Sequence, residues 1–487
     1  MHTTHAVVAD AMALAWNNRF DEAAAALDVA MTDGLGLGEG EGEGEGDDQL
    51  GEIPVLVSFI TGSVDDKHEA LERLSKALDA AAAVGRDSGL YALRKSWHGF
   101  RALRDEDVVG ESAGLSLQLD YGLGLMYFLI ALAPKGMASM ILRLIGFEAD
   151  RDAGLASLRK VVNAGPKASI AAPWALAVLL ANSLYFPRGF GSNVDILDDA
   201  RGLLDLALHH WPTSSLFHML RGQLARKVGN PGEAAAAAEA ALAASAGIPV
   251  AHLYAADAAS AAFAACAWAD AVQLFSALLD ATAPSGASGK SSRTAFEIRG
   301  LCALCYAAAL AQLPGRSAEA ADALARVPNY VCKSSRFDAL ASETATRSAK
   351  LGPAGLALLA FEITYLKREL KPMRGVVLAT YAAGLEDASA EADGDAALIA
   401  GLLRAAVAVN AGELEAAAAG LSTVASSEPA HASHVVPYAQ FELAELAYSA
   451  GNLAGAREWL DRAEACSGYG WQAPLELRIK QARKQLA

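Results

Sequence analysis

The most restrictive feature of the chain is a set of small residues that returns with a period of roughly 34 residues. Within residues 216–249 the set is Gly222, Ala225, Gly229, Asn230, Ala234, Ala238 and Ala241. The same register recurs with Ala405, Ala408, Gly412, Ala417, Leu421, Val424 and Pro429, and again with Ala444, Ala447, Gly451, Asn452, Ala456, Leu460 and Ala463. A weaker copy runs through Ala259, Ala262, Trp268, Ala271 and Phe275, and Phe20-Asp21-Glu22-Ala23 fits the turn of another. Two antiparallel helices approach closely only where glycine or alanine faces glycine or alanine, and the larger residues between them then pack on the next pair. Chance richness in alanine would not also place Gly-Asn or Gly-Glu at the turn.

The chain is therefore expected to be all-α, an α-solenoid of tetratricopeptide-type helical repeats. Glycine and proline breaks, among them the FPRGFGS loop at 186–192, fall about every 12 to 20 residues, the length of one globular helix. One stretch differs from the repeats. Residues 120–158 join an almost uninterrupted apolar helix, Leu123 to Ala133, to a second apolar segment, Met137 to Phe147, across Pro134-Lys135-Gly136. Proline has no amide to donate and glycine accepts left-handed dihedrals, so this is a helix stop and a tight reversal. Two helices so apolar need cover, and Met126, Phe128 and Leu142 are expected to be packed inside. The expected divisions are an N-terminal helical pair (1–31), a flexible acidic Gly/Glu loop (32–52), the apolar helical core (53–163), helical repeats (164–350) and C-terminal helical repeats (351–487).

Composition excludes some partners. A net charge of −16 removes the clustered cations that a general grip on phosphates needs, so nucleic acid is not an expected partner. Five cysteines are an odd count, and the first residues lack a basic stretch followed by an apolar run. Reduced thiols in a cytosolic or nuclear setting are expected. The apolar run from Gly122 to Ala133 is shorter than the roughly 18 to 20 residues of a spanning helix, and it reads as a buried helix.

Several local motifs could carry chemistry, and each has a plainer reading. Gly110-Glu111-Ser112-Ala113-Gly114 matches the GxSxG of a serine esterase, but a nucleophile elbow needs a strand before Ser112, and the charged 101–107 segment is not strand-like. Residues 284–291 nearly match a phosphate-binding loop, yet they follow a helix and read as a solvated linker. Cys302 and Cys305 lie a turn apart on an apolar helix and read as small core residues, since zinc would need two further ligands. His209-His210 and His431-x-x-His434 read as surface histidines at helix ends, and Arg478 to Lys484 as a solvated capping helix. The glycines of 34–48 alternate with glutamates that would repel a phosphate. No catalytic, cofactor-binding or metal-binding residue is expected.

One resemblance follows from the motifs together. Gly122-x-Gly124, the apolar run to Pro134, then Gly146-Phe147-x-x-Asp150-Arg151-x-x-Gly154-Leu155 resembles the signature of the tetratricopeptide repeat protein 39 family, also named for the inclusion body clearance protein. Agreement continues through Trp211-Pro212-x-Ser214-x-x-Phe217, Arg221-Gly222, Trp268-x-x-Ala271 and Phe361-Glu362-x-x-Tyr365. The resemblance implies a non-enzymatic repeat scaffold that holds partner proteins or peptides in a groove. It also implies a link to lipid-droplet-associated clearance of protein inclusions or to lipid regulation. Because the apolar stretch lacks a basic polar face, membrane or lipid-droplet contact is expected to be indirect, through a partner. Direct attachment through the 122–147 hairpin is the alternative, and an esterase using Ser112 the outlier.

Overall fold

The computed structural model describes residues 113–132 and 150–486, apart from 187, 188, 192, 249, 283–297 and 333–334. The described residues form eighteen α-helices and one 3-10 turn, with no strand among them. The helical pair of 1–31, the Gly/Glu loop, Ser112, the second apolar segment with Pro134, Leu142, Gly146 and Phe147, and the phosphate-loop-like 284–291 lie outside the described residues. Two compact units divide the chain. One contains residues 113–132, 150–185, 200–218 and 243–250, the other 186–199, 219–242 and 251 onward.

In the first unit, α1 (Ala113–Leu132) packs on α2 (Arg151–Ala164), which packs on α3 (Ala172–Tyr185). The α1 helix includes Asp120, upstream of the expected Leu123, and Lys160 lies 3.7 Å from its carboxylate. Gly124 and Gly154 set the crossing. A Cβ on Gly124 would stand 2.9 Å from the Gly154 carbonyl oxygen, and one on Gly154 would stand 2.8 Å from that of Gly124. Backbone therefore meets backbone, and Tyr127, Ser157 and Leu158 line the contact. Phe128 is packed inside as expected, whereas Met126 is only half-buried. Asp150 caps α2 by accepting from the Ala153 N–H at 2.9 Å, and Arg151 Nε donates to Asn182 Oδ1 on α3 at 3.1 Å.

Three helices have residues in each unit: α4 (Val194–His210), α5 (Ser215–Lys227) and α6 (Pro231–Ala244). The second unit continues through helical pairs: α7 (Ala251–Ala264) with α8 (Trp268–Ala281), α9 (Arg299–Ala311) with α10 (Ser317–Arg326), and α11 (Arg336–Lys350) with α12 (Gly352–Leu366). After α13 (Gly375–Ala388) come α14 (Gly394–Ala411) with α15 (Leu414–Ala425), α16 (Val435–Ser449) with α17 (Leu453–Ala465), and α18 (Gln472–Leu486). By length and composition alone α14 could cross a bilayer, but Ala400, Leu402 and Leu403 are buried among neighbouring helices.

One bond pattern closes five of these helices. The N–H of one residue returns to the carbonyl three positions back and the next N–H reaches five back: Gly229 and Asn230, Cys266 and Ala267, Arg368 and Glu369, Gly412 and Glu413, Gly451 and Asn452. The first residue of each couple must adopt a left-handed backbone, with φ of +76°, +58°, +61°, +84° and +76°. Glycine does this without strain. Cys266 and Arg368 do it against a Cβ penalty of about 1 kcal/mol or more, so something other than local preference keeps them there.

Two hydrophobic cores fill this unit, one running from α7 to α12 and one from α12 to α18. Helix α12 belongs to both: Leu359, Ala360 and Ile363 face the first core, Leu358, Phe361 and Tyr365 the second. Every residue from Leu358 to Leu366 is buried.

Candidate partner-binding surface

Glu362 lies at the middle of α12 with 2 % of its surface exposed. Arg347 Nη2 on α11 donates to its Oε2 at 2.8 Å, and His434 Nε2, at the start of α16, lies 2.7 Å from Oε1 without being aligned as a hydrogen bond. Burial pushes the Glu362 carboxyl up, but Arg347 and His434 outweigh it and hold it down at about 2. The His434 pKa is lowered, because the loss of solvation exceeds the attraction of Glu362. An open cleft of about 680 Å³ borders this cluster, lined by Arg347, Lys350, His431, Ser433 and His434. The expectation that His434 is a surface histidine is corrected. Its acidic partner stands on a helix far away in sequence, which spacing within the motif could not show.

At the C-terminal end of α12 a second charged group gathers. Arg226 Nη2 pairs with Asp257 Oδ1 at 2.8 Å and Arg226 Nε lies 3.8 Å from Glu369 Oε1, which also has Lys367 Nζ at 3.5 Å. Lys371 pairs with Glu445, and the Tyr365 hydroxyl donates to Glu442 Oε1 at 3.2 Å. Burial and the Arg368 guanidinium push Lys227 down to about 8. Glu442 is raised by burial and by Glu445, while Lys371 and Arg368 outweigh burial at Glu445 and lower it. Arg478 completes the group. It is buried, donates from Nη2 to the Leu366 carbonyl at 2.9 Å and lies over the Tyr438 ring. The reading of Arg478 as part of a solvated face is corrected, because its side chain is buried and bonds the last carbonyl of α12. The group links the ends of α5 and α12 with α7, α16 and α18, and its cations outnumber its carboxylates.

Residues 189–191 lie against α16 and α18 of the same unit. Phe190, 2 % exposed, packs its ring 5.5 Å from that of Phe441 and 5.0 Å from that of Tyr448. Its backbone N–H donates to Gln485 Oε1 at 2.7 Å, Gln485 Nε2 donates back to its carbonyl at 3.3 Å, and the Gly191 N–H donates to Glu445 Oε1 at 2.8 Å. Gly189 presses on the α18 backbone, where a Cβ would stand 2.1 Å from the Ala482 nitrogen. Within a segment that reads as a break in helical periodicity, Gly189-Phe190-Gly191 is thus anchored, and a phenylalanine between two glycines was the available signal.

Residues 115–335 match the Iml2/Tetratricopeptide repeat protein 39 family. A comparison with curated proteins gave no match. Of the residues singled out as this family's signature, Gly124 and Gly154 meet at the α1–α2 crossing, Asp150 caps α2, Arg151 holds α3, Leu155 is half-buried, and Gly122 is exposed with open space around it. In the repeats, Gly222 faces Ala234 and Ala237, and Ala271, Ala417 and Ala456 are buried. Trp268 sets its ring edge-on to Phe263 and Phe361, and Gly451 makes a left-handed turn. Apart from Gly122, the described ones support helix packing, and they do not converge on one site. Cys302 and Cys305 are buried, and burial raises both thiols, Cys305 to about 11. Among the described residues no cluster of three or more His, Cys, Asp or Glu side chains could hold a metal ion.

Proposed function

We propose that this protein is a non-catalytic helical-repeat scaffold that binds a partner protein through the charged group at the end of α12. The observation that carries this reading is the concentration of cations there. In a chain of net charge −16, the half-buried Arg226, Lys227, Lys367, Arg368 and Lys371 gather with the buried Arg478 around four carboxylates, Asp257, Glu369, Glu442 and Glu445. Holding so many like charges together costs stability unless they are used, and an acidic segment of a partner would gain both charge complementarity and faster encounter. The inclusion-clearance or lipid-regulation setting, and residence in the cytoplasm, nucleus or at lipid droplets, belong to the same proposal. The test is affinity capture of the full chain from its native cells, compared with Lys367→Glu/Lys371→Glu. Loss of a salt-sensitive set of partners in the double variant is expected. Identical sets from the two proteins would refute the role of this surface. Flotation of the pure protein with neutral-lipid droplets addresses attachment: the scaffold reading expects none without a partner.

A further inference from the structure

Residues 189–191 are held the way a peptide ligand is held. Specific recognition of an extended peptide requires side chains that bond its backbone and a pocket that takes one of its side chains. Gln485 supplies a two-way amide clamp on Phe190, Glu445 takes the next N–H, and Phe441 with Tyr448 forms the aromatic pocket. The contact at Gly189 admits no side chain. The site also extends past its occupant. A cleft of about 560 Å³ opens beside Phe190 and Gly191, lined by Asp195, Asp198, Tyr448 and Gln485.

We propose that the α16–α18 face is a peptide-binding site occupied in cis by the chain's own Gly189-Phe190-Gly191. A partner segment with a glycine, aromatic, glycine triplet takes the same place in trans. This rests on the scaffold reading above and gives it a pocket and a pattern. Glu445 links the two surfaces, since its Oε1 serves both the Gly191 N–H and Lys371. A tethered segment competes at an effective concentration on the order of millimolar, and the intact chain therefore binds an outside peptide weakly until the loop leaves.

The experiment uses the full chain and a labelled synthetic peptide with the sequence of residues 186–194, read by fluorescence anisotropy. Phe190→Ala is expected to bind the peptide at least about ten-fold more tightly than the parent, and adding Tyr448→Ala is expected to abolish the gain. A folded Phe190→Ala chain that binds no better than the parent overturns the proposal. If that variant does not fold, hydrogen exchange on the parent decides. Saturating peptide should speed exchange at the amides of Phe190 and Gly191 while α12 stays protected, and unchanged exchange there overturns the proposal. Partners lost with Lys367→Glu/Lys371→Glu but indifferent to Phe190 would leave the scaffold reading standing without this site.

Discussion

Helices α1 and α12 have nearly the same composition, and they are used in opposite ways. Each is apolar throughout, with a single carboxylate and no cation: Asp120 in α1, Glu362 in α12. Helix α1 meets its neighbour at a glycine crossing and leaves Gly122 in the open. Asp120 has a lysine at 3.7 Å whose side chain is 66 % exposed. Helix α12 is shared by two cores, and its carboxylate is enclosed by a guanidinium and an imidazole. Hydropathy alone reports that both helices must be covered. How each is covered depends on what arrives from elsewhere in the chain.

The comparison breaks most readily at the carboxylates. Arg347→Met leaves Glu362 buried beside a neutral side chain and is expected to cost about 3 to 5 kcal/mol, whereas Lys160→Met, opposite Asp120, should cost no more than about 1 kcal/mol. Chemical denaturation of the two variants checks this, and equal losses would remove the distinction. Adding Glu362→Gln to Arg347→Met should return most of the stability.

Acid should reach α12 next. The Glu362 carboxyl is held at about 2 in the fold against 4.5 in the unfolded chain. The unfolded state therefore takes up the proton first, and roughly 3 kcal/mol of stability is lost as pH falls from about 4.5 towards 2. His434 acts earlier with the same sign. Its pKa is lowered from 6.5, so its contribution is complete above that pH and declines below it. Thermal melts of the parent and of Glu362→Gln across this range should differ by loss of the lower step and by a larger upper step in the variant, where His434 no longer has the carboxylate that favours its protonation.

Smaller effects sharpen the contrast in packing. Gly154→Val at the α1–α2 crossing and Ala417→Leu in the repeats should each cost on the order of 1 to 3 kcal/mol through overpacking. Gly122→Ala, on the open side of α1, should stabilise by up to about 1 kcal/mol. Smallest of all, Cys266→Gly is expected to raise stability by several tenths of a kcal/mol to about 1, by relieving a left-handed backbone, offset by loss of a buried thiol. A parallel measurement of Gly412→Ala, with the opposite sign expected, tests the same turn.

The turns also explain how much could be read from sequence. Gly229, Gly412 and Gly451 announce left-handed helix ends because glycine is the residue that adopts them freely. The equivalent turns at Cys266 and Arg368 carry no such residue. Hence the copy through Trp268 reads as weak, and the turn at the end of α12 reads as none. The helical class, the small-residue register and the family region were legible because each is written in neighbouring residues. The Glu362 cluster and the place of Phe190 were not, since each joins helices far apart in the chain, and local spacing has no term for that.

The distance between Phe190 and Gln485 is 295 residues, and on a ribosome that distance is time. The helical pairs of the second unit close on their neighbours and can form as they emerge, but Phe190 leaves the ribosome long before the helix that clamps it has been made. At roughly 5 to 20 residues per second, the wait is about 15 to 60 s. Throughout that interval a phenylalanine flanked by glycines has no intramolecular clamp, and the nascent chain is the state in which a chaperone or a cotranslational partner would meet it first.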